Sequence, residues 1–280
     1  MKKNFLYALL AVSLIFLLGA CSEQKKDTTI SKKEEATETK ENEETKSNDA
    51  STAQWSYEDK TGPEHWGKLD ASYSACLRGN EQSPINIESN QVKPSKELEN
   101  LEIQYEPTSF SVVNNGHTIQ ANPEAPSNNI VVDGKEYKLV QFHFHTPSEH
   151  QFNNQHFDME LHLVHQNADG KLAVLGVMMK EGKENKALDS IWSVLPKNET
   201  EKEIDVKEPV DLQALLPSNQ TFFNYAGSLT TPPCTEEVNW IVFEEPIEMS
   251  KEQLKKFQDI FPDNHRPVQP LNEREIIKES

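Results

Sequence analysis

Residues 141–150 read QFHFHTPSEH, three histidines and a glutamate in ten positions. Two of the histidines are one aromatic apart. On an extended strand, side chains two apart share a face, so His143 and His145 stand side by side while Phe142 and Phe144 point the other way. Two neighbouring imidazoles either pack as core polar groups or wait for a third metal ligand.

The segment MELHLVHQ, residues 159–166, offers that ligand. In a strand Glu160, His162 and Val164 share one face and His165 falls on the other. The turn-rich TPSEHQFNNQHFD between the two segments is short enough to make them neighbours. If they pair antiparallel, three imidazoles converge. Three protein nitrogens with a fourth position left open is the pattern of a catalytic zinc site, not a closed structural one. A ligating imidazole needs its second N–H held in place. Gln141 lies two residues before His143 and Glu160 two before His162, each on its ligand's face. Both also read as ordinary polar residues when taken singly.

The same alternation recurs around these two segments. LEIQY, FSVVNN, NIVVDG, LAVLGVMM and VNWIVFE are short runs rich in β-branched and aromatic residues, bounded by turn signals. Helical patterns are few: NKALDSIWSVL, and SKEQLKKFQDIF with Ser250 as N-cap. The expected class is mainly β (α+β), a single domain over residues 55–277. It is built on a large central, mostly antiparallel twisted sheet with a few short peripheral helices.

The N-terminal part reads differently. Lys2 and Lys3 precede an apolar run from Phe5 to Ala20 that is too short for a comfortable membrane span and has the flanks of a secretory signal. Leu18-Gly19-Ala20-Cys21 resembles a bacterial lipobox, with Cys21 as the lipidated residue; an ordinary signal peptide and an uncleaved anchor are the alternatives. Residues 1–20 are thus expected to be a signal peptide, and residues 21–54 a lipidated cysteine followed by a disordered charged tether. Ile30 is the only large aliphatic in residues 22–54, too little to offset the entropy of ordering. As a coil this stretch spans roughly 30 Å. The expected location is outside the cell, anchored on the outer face of a bacterial membrane.

Formal net charge is −18, and the first twenty residues carry only Lys2 and Lys3, so the remainder is more acidic still. Such a surface repels phosphate backbones and argues against a nucleic-acid partner. With Cys21 assigned, Cys76 and Cys234 remain, either one disulfide or two free thiols. Oligomeric state is not legible in the sequence.

Several further stretches complete a pattern: GPEHWG (62–67), QSPINI (82–87), NNGHTIQ (114–120), ELHLVH (160–165), GSLTTPPCTEEVNW (227–240) and DNHRPVQPL (263–271). With QFHFHTPSEH, in this order and spacing, they resemble the α-class carbonic anhydrases, specifically a bacterial extracytoplasmic form. The resemblance runs essentially from Trp55 to Ile277.

The resemblance implies a zinc lyase that hydrates CO2 reversibly to bicarbonate and a proton, through attack of a zinc-held hydroxide on CO2. On its pattern His143, His145 and His162 hold one zinc ion per chain. Gln141, Glu160 and the carbonyl of Asn264 hold the outer nitrogens. Thr230 matches the gatekeeper hydroxyl that donates to Glu149. Thr230, Thr231, Val164, Val174, Leu229, Val238 and Trp240 match the substrate-binding positions, an apolar wall suited to an uncharged gas. His117 matches the proton shuttle, and Tyr57, Asn115 and Gln120 the residues that order its water chain. Members often carry Asn where this chain has Gln120. Cys76 and Cys234 match the disulfide of secreted members. The segment after His145 is shorter than in the animal enzymes, which implies a more open cleft rim. His65, His150, His156, His165 and His265 are left to structure or surface.

Two rivals belong to other classes. A catalytically silent binding module would have lost a ligand, and all three histidines, Thr230 and Glu149 are present. A zinc-scavenging lipoprotein would favour a histidine-rich flexible segment, and residues 22–54 contain no histidine.

Overall fold

The computed structural model describes residues 54–95 and 100–279. The expected signal peptide, Cys21 and nearly all of the tether lie outside the described residues.

Seven strands form the middle of the sheet: β1 (Phe110–Asn114), β2 (Ile119–Pro123), β3 (Lys135–His145), β4 (Met159–Gln166), β5 (Leu172–Glu181), β6 (Phe222–Ser228) and β7 (Glu236–Phe243). Their spatial order is β1-β2-β3-β4-β5-β7-β6 within a sheet of thirteen strands among the described residues. Each pairing between neighbours in this run is antiparallel except β5 with β7. That parallel pair was not foreseen. The chain leaves β5 through short helical turns and returns by β6, which places β7 beside β5 in the same direction. Ile247–Met249 also joins β5 in parallel, so the sheet is mixed.

Strands β4 and β5 are buried on both faces, which is why they read as nearly continuous apolar runs. One face belongs to the larger core, with Phe142, Phe144, Leu161, Leu163, Leu175, Val177 and Ile241. That core is closed by the helix Lys251–Gln258, which contributes Leu254 and Phe257. Ser250 caps this helix as expected, its hydroxyl accepting from the Gln253 N–H at 3.2 Å while Gln253 Oε1 accepts from the Ser250 N–H at 3.0 Å. The other expected helical stretch forms a 3-10 turn, Lys186–Leu188, running into Asp189–Trp192. The opposite face of the sheet carries a smaller cluster around Val164, Val174, Val238, Tyr225 and Trp240, with the histidines beside it.

Two central strands escaped the sequence reading. TIQANP and FFNYAGS carry Asn, Ala, Pro or Gly where strand signals call for β-branched residues. In β6 the glycine is required by close approach, because a β-carbon on Gly227 would stand 2.8 Å from Trp240 Cδ1.

Candidate metal centre

The register of β3 against β4 decides the site. His143 lies directly opposite His162 across the antiparallel ladder, and His145 lies opposite Glu160. Ring nitrogens of His143, His145 and His162 come within 4.8 Å of one another. The conditional pairing of the two sequence segments is realised, and it gathers the three imidazoles on one face.

Each imidazole is held by its outer nitrogen. His143 Nδ1 donates to Gln141 Oε1 at 2.8 Å, His145 Nδ1 to the Asn264 carbonyl at 2.7 Å, and His162 Nε2 to Glu160 Oε1 at 2.9 Å. These bonds fix the tautomers and turn Nε2, Nε2 and Nδ1 respectively toward a common centre. Burial pushes all three imidazoles toward their neutral form, His145 down to about 4 and His143 well below its ordinary value. Neutral imidazole is the form that ligates a metal.

Glu160 anchors this arrangement. Burial alone would raise its carboxyl, but His150 and His162 beside it hold it well below the usual range. Its two oxygens accept four hydrogen bonds, from the backbone N–H groups of Glu149 and His150 and from the rings of His150 and His162. Behind it, His150 Nε2 meets Tyr225 Oη at 2.6 Å, and Tyr225 Oη meets Ser83 Oγ at 2.8 Å. His150 is thus a fully buried structural histidine that locks the carboxylate serving His162.

Glu149 is also fully buried. Its Oε1 accepts the Arg266 backbone N–H at 2.8 Å. Burial raises its carboxyl, while His162, the Thr230 hydroxyl and the Arg266 N–H draw it back down. Its Oε2 has no hydrogen-bond partner, nor does His145 Nε2, and the two atoms stand 3.5 Å apart. Orphaned buried polar atoms are costly, and a pair of them facing one point is a place a cation satisfies. The donor set fits zinc: three neutral nitrogens, with outer-shell acceptors already in place.

Arg266 had no assigned role in the sequence. It is buried, and burial draws its guanidinium down to about 10, against the pull of Glu149. The guanidinium donates to Gln82 Oε1 and to the carbonyls of Ser83 and Cys76. Gln82 in turn donates to the Cys234 carbonyl at 3.1 Å. Cys76 and Cys234 form the disulfide. One arginine therefore ties Glu149, the QSPINI segment and the loop bearing Thr230 into one unit.

The other expected residues fall as follows. Val164, Val174, Val238 and Trp240 line the small apolar cluster with Leu229 packed against it, and Trp240 lies edge-on to His162 at 4.8 Å. Thr230 is buried and Thr231 half-buried on the same loop. Tyr57 Oη is buried without a hydrogen-bond partner. Asn115 accepts the N–H groups of His117 and Thr118, and its amide reaches Gln120 Oε1 at 3.4 Å. Gln120 sits opposite His143 on β2. His117 is half-buried and stacks on Trp55 with ring centroids 3.6 Å apart, and its carbonyl accepts from Asn264 Nδ2. Asn264 therefore touches both the His145 ring and the His117 turn. His165 faces away as expected, buried against Tyr105 Oη at 2.7 Å.

Three histidines able to hold a metal, with an orphaned carboxylate oxygen and an apolar wall beside them, match the donor set of catalytic rather than structural zinc centres. Comparison with known proteins narrows this. The family model for eukaryotic-type carbonic anhydrase matches residues 61–280. A carbonic anhydrase of Nostoc sp. is 43% identical over 232 residues, 82% of this chain and 87% of that protein. One from Klebsiella pneumoniae is 44% identical over 226 residues, 80% of this chain and 90% of that protein. Among solved structures, an α-carbonic anhydrase of Thermovibrio ammonificans in complex with the inhibitor sulfanilamide superposes with a TM-score of 0.78 at 46% identity. It covers 81% of this chain and 99% of its own. The chain belongs to the eukaryotic-type, or α, carbonic anhydrases, the zinc enzymes of carbon dioxide hydration.

Proposed function

We propose that the chain binds one zinc ion through His143 Nε2, His145 Nε2 and His162 Nδ1 and hydrates CO2 reversibly to bicarbonate and a proton. The observation that carries this reading is the pair of unpartnered buried atoms, His145 Nε2 and Glu149 Oε2, 3.5 Å apart beside two more convergent imidazoles. When bound, zinc supplies a Lewis acid that makes hydroxide available near neutral pH, as it does in carbonic anhydrases at large.

The chain's own residues do the rest. An ionised carboxylate can only accept, so the Thr230 hydroxyl donates its hydrogen bond to Glu149 and the Thr230 oxygen is left as an acceptor facing the site. The backbone N–H of Thr230 receives a substrate oxygen. Val164, Val174, Leu229, Val238 and Trp240 form a water-poor wall against which an uncharged gas rests. His117 carries the released proton outward. Passing it to bulk water is steeply uphill, whereas an imidazole is basic enough to make the transfer far less so, even though burial draws the His117 ring below its ordinary value.

Stopped-flow CO2 hydration with an indicator dye, with and without a chelator, tests the activity. Elemental analysis should give one zinc per chain, and well under one equivalent that added zinc does not restore would overturn the reading. Changing any of His143, His145 or His162 to alanine should abolish activity. His117→Ala should lower kcat in weak buffer and spare kcat/KM, with imidazole restoring part of the loss. Full kcat in weak buffer would remove His117 from the shuttle role.

A further inference from the structure

The turn that presents His117 is built from both sides. Gly116 has a φ of +84°, and its N–H donates to Asn114 Oδ1 at 3.0 Å. The buried Asn114 also clamps a second loop. Its Nδ2 donates to the Pro196 carbonyl at 3.1 Å, its N–H to Thr200 Oγ1 at 3.1 Å, and its carbonyl accepts the Thr200 N–H at 2.9 Å. Between those anchors, Glu199 is carried over the turn. Its carboxylate carbon stands 3.5 Å from where a β-carbon on Gly116 would be. Glu199 and His117 line one pocket of about 420 Å³ with Trp55, Tyr73 and Asn115.

We propose that Glu199 is a positioning residue for the proton shuttle, its carboxylate stabilising the His117 imidazolium formed during each turnover. The inference rests on the shuttle reading above and adds a partner to it. An anion beside a half-buried imidazole favours the protonated form. A cation on an indole face is also favoured, and His117 lies parallel to Trp55 within 8°. Both effects oppose burial, which draws the His117 ring below its ordinary value while Glu199 pulls it up. Among the described residues, no other charged side chain lines the pocket. From the N-terminal segment it is lined by Gln54, Trp55, Ser56 and Thr61, from the next helical turns by Tyr73, and from its own turn by Asn115. On the Asn264 side, Asp263 and His265 are paired with each other at 2.6 Å and line the adjacent, larger hollow.

Proton NMR titration of the histidine ring signals in the zinc-loaded protein, with His117→Ala to assign the resonance, measures the effect without reference to turnover. Glu199→Gln should lower the His117 midpoint by about half a pH unit, and Glu199→Lys by about twice that. Glu199→Asp should keep most of the wild-type value. In weak buffer kcat should fall in Glu199→Gln while kcat/KM holds, and concentrated imidazole should erase the difference, which a merely structural defect would not show. A His117 midpoint unmoved in both Glu199→Gln and Glu199→Lys overturns the pairing. If the midpoint moves but His117→Ala keeps its kcat, the shuttle reading falls and the catalytic role of Glu199 falls with it.

Discussion

Two buried residues on β4, Glu160 and His165, show how position on a strand assigns separate tasks. Glu160 accepts four hydrogen bonds, one of them from His162. Glu160→Gln keeps the shape but must turn an amide toward donors it cannot accept from, leaving His162 less firmly aimed. Outer-shell losses of this kind typically weaken metal affinity by about 10- to 100-fold, which competition with a chelator would read. His165, five residues beyond Glu160, lies on the opposite face of the strand. Burial draws its imidazole down to about 3, so it stays neutral in the folded protein. The unfolded chain protonates it below about 6.5, so its contribution to stability is complete above that pH and is lost as pH falls toward 3. At pH 5 the loss is about 2 kcal/mol. Denaturant midpoints at pH 7 and pH 5 should therefore differ less in His165→Gln than in the wild type. An identical drop in both would assign the acid sensitivity to other groups.

Elements were legible where local pattern and burial agree. FHFH and ELHLVH announced β3 and β4 because ligands and core residues alternate with a period of two, and the lattice of the sheet then fixed their register. Strand β6 was not legible, since Gly227 and Ala226 are there for what they pack against and not for propensity. Nor were the long-range partners legible. His150 meets Tyr225 across 75 residues and Arg266 meets Glu149 across 117, and no spacing rule reaches that far. Strand periodicity alone reached the three candidate ligands and the acceptors Gln141 and Glu160, and the family resemblance added the Asn264 carbonyl, but Arg266 received a role only from the folded chain. Its work depends on the loop it braces. The disulfide spans 158 residues, and closing so long a loop is worth about 5 kcal/mol as an upper figure in the chain-entropy model. Reduction should lower the denaturant midpoint of the domain and loosen the Thr230 loop, seen as lost activity below the unfolding transition. Two alkylatable thiols in the unreduced protein would rule the bridge out in solution.

At the scale of the whole molecule, the sequence divides into parts with opposite physical demands. The described residues bury two apolar layers around one sheet. The stretch 22–54 contains no aromatic, glycine or proline and carries many charges, so it has little to bury. Ahead of it stand two lysines, an apolar run from Phe5 to Ala20 and Leu-Gly-Ala-Cys. We propose that processing leaves Cys21 as a lipidated N-terminus and that the tether holds the acidic enzyme away from an anionic membrane surface. Electrostatics makes the tether useful, because a domain this acidic is repelled by anionic headgroups within roughly a Debye length, about 8 Å. A coil spanning roughly 30 Å clears that distance. One acyl chain binds a membrane only marginally, so stable residence needs at least two on Cys21. Wild-type protein should therefore sediment with membranes and leave them in detergent but not in high salt. Cys21→Ser should appear in the medium if its signal is still cleaved. A Cys21→Ser protein that is cleaved normally yet stays with the membrane would show that something other than lipid on this cysteine holds it there.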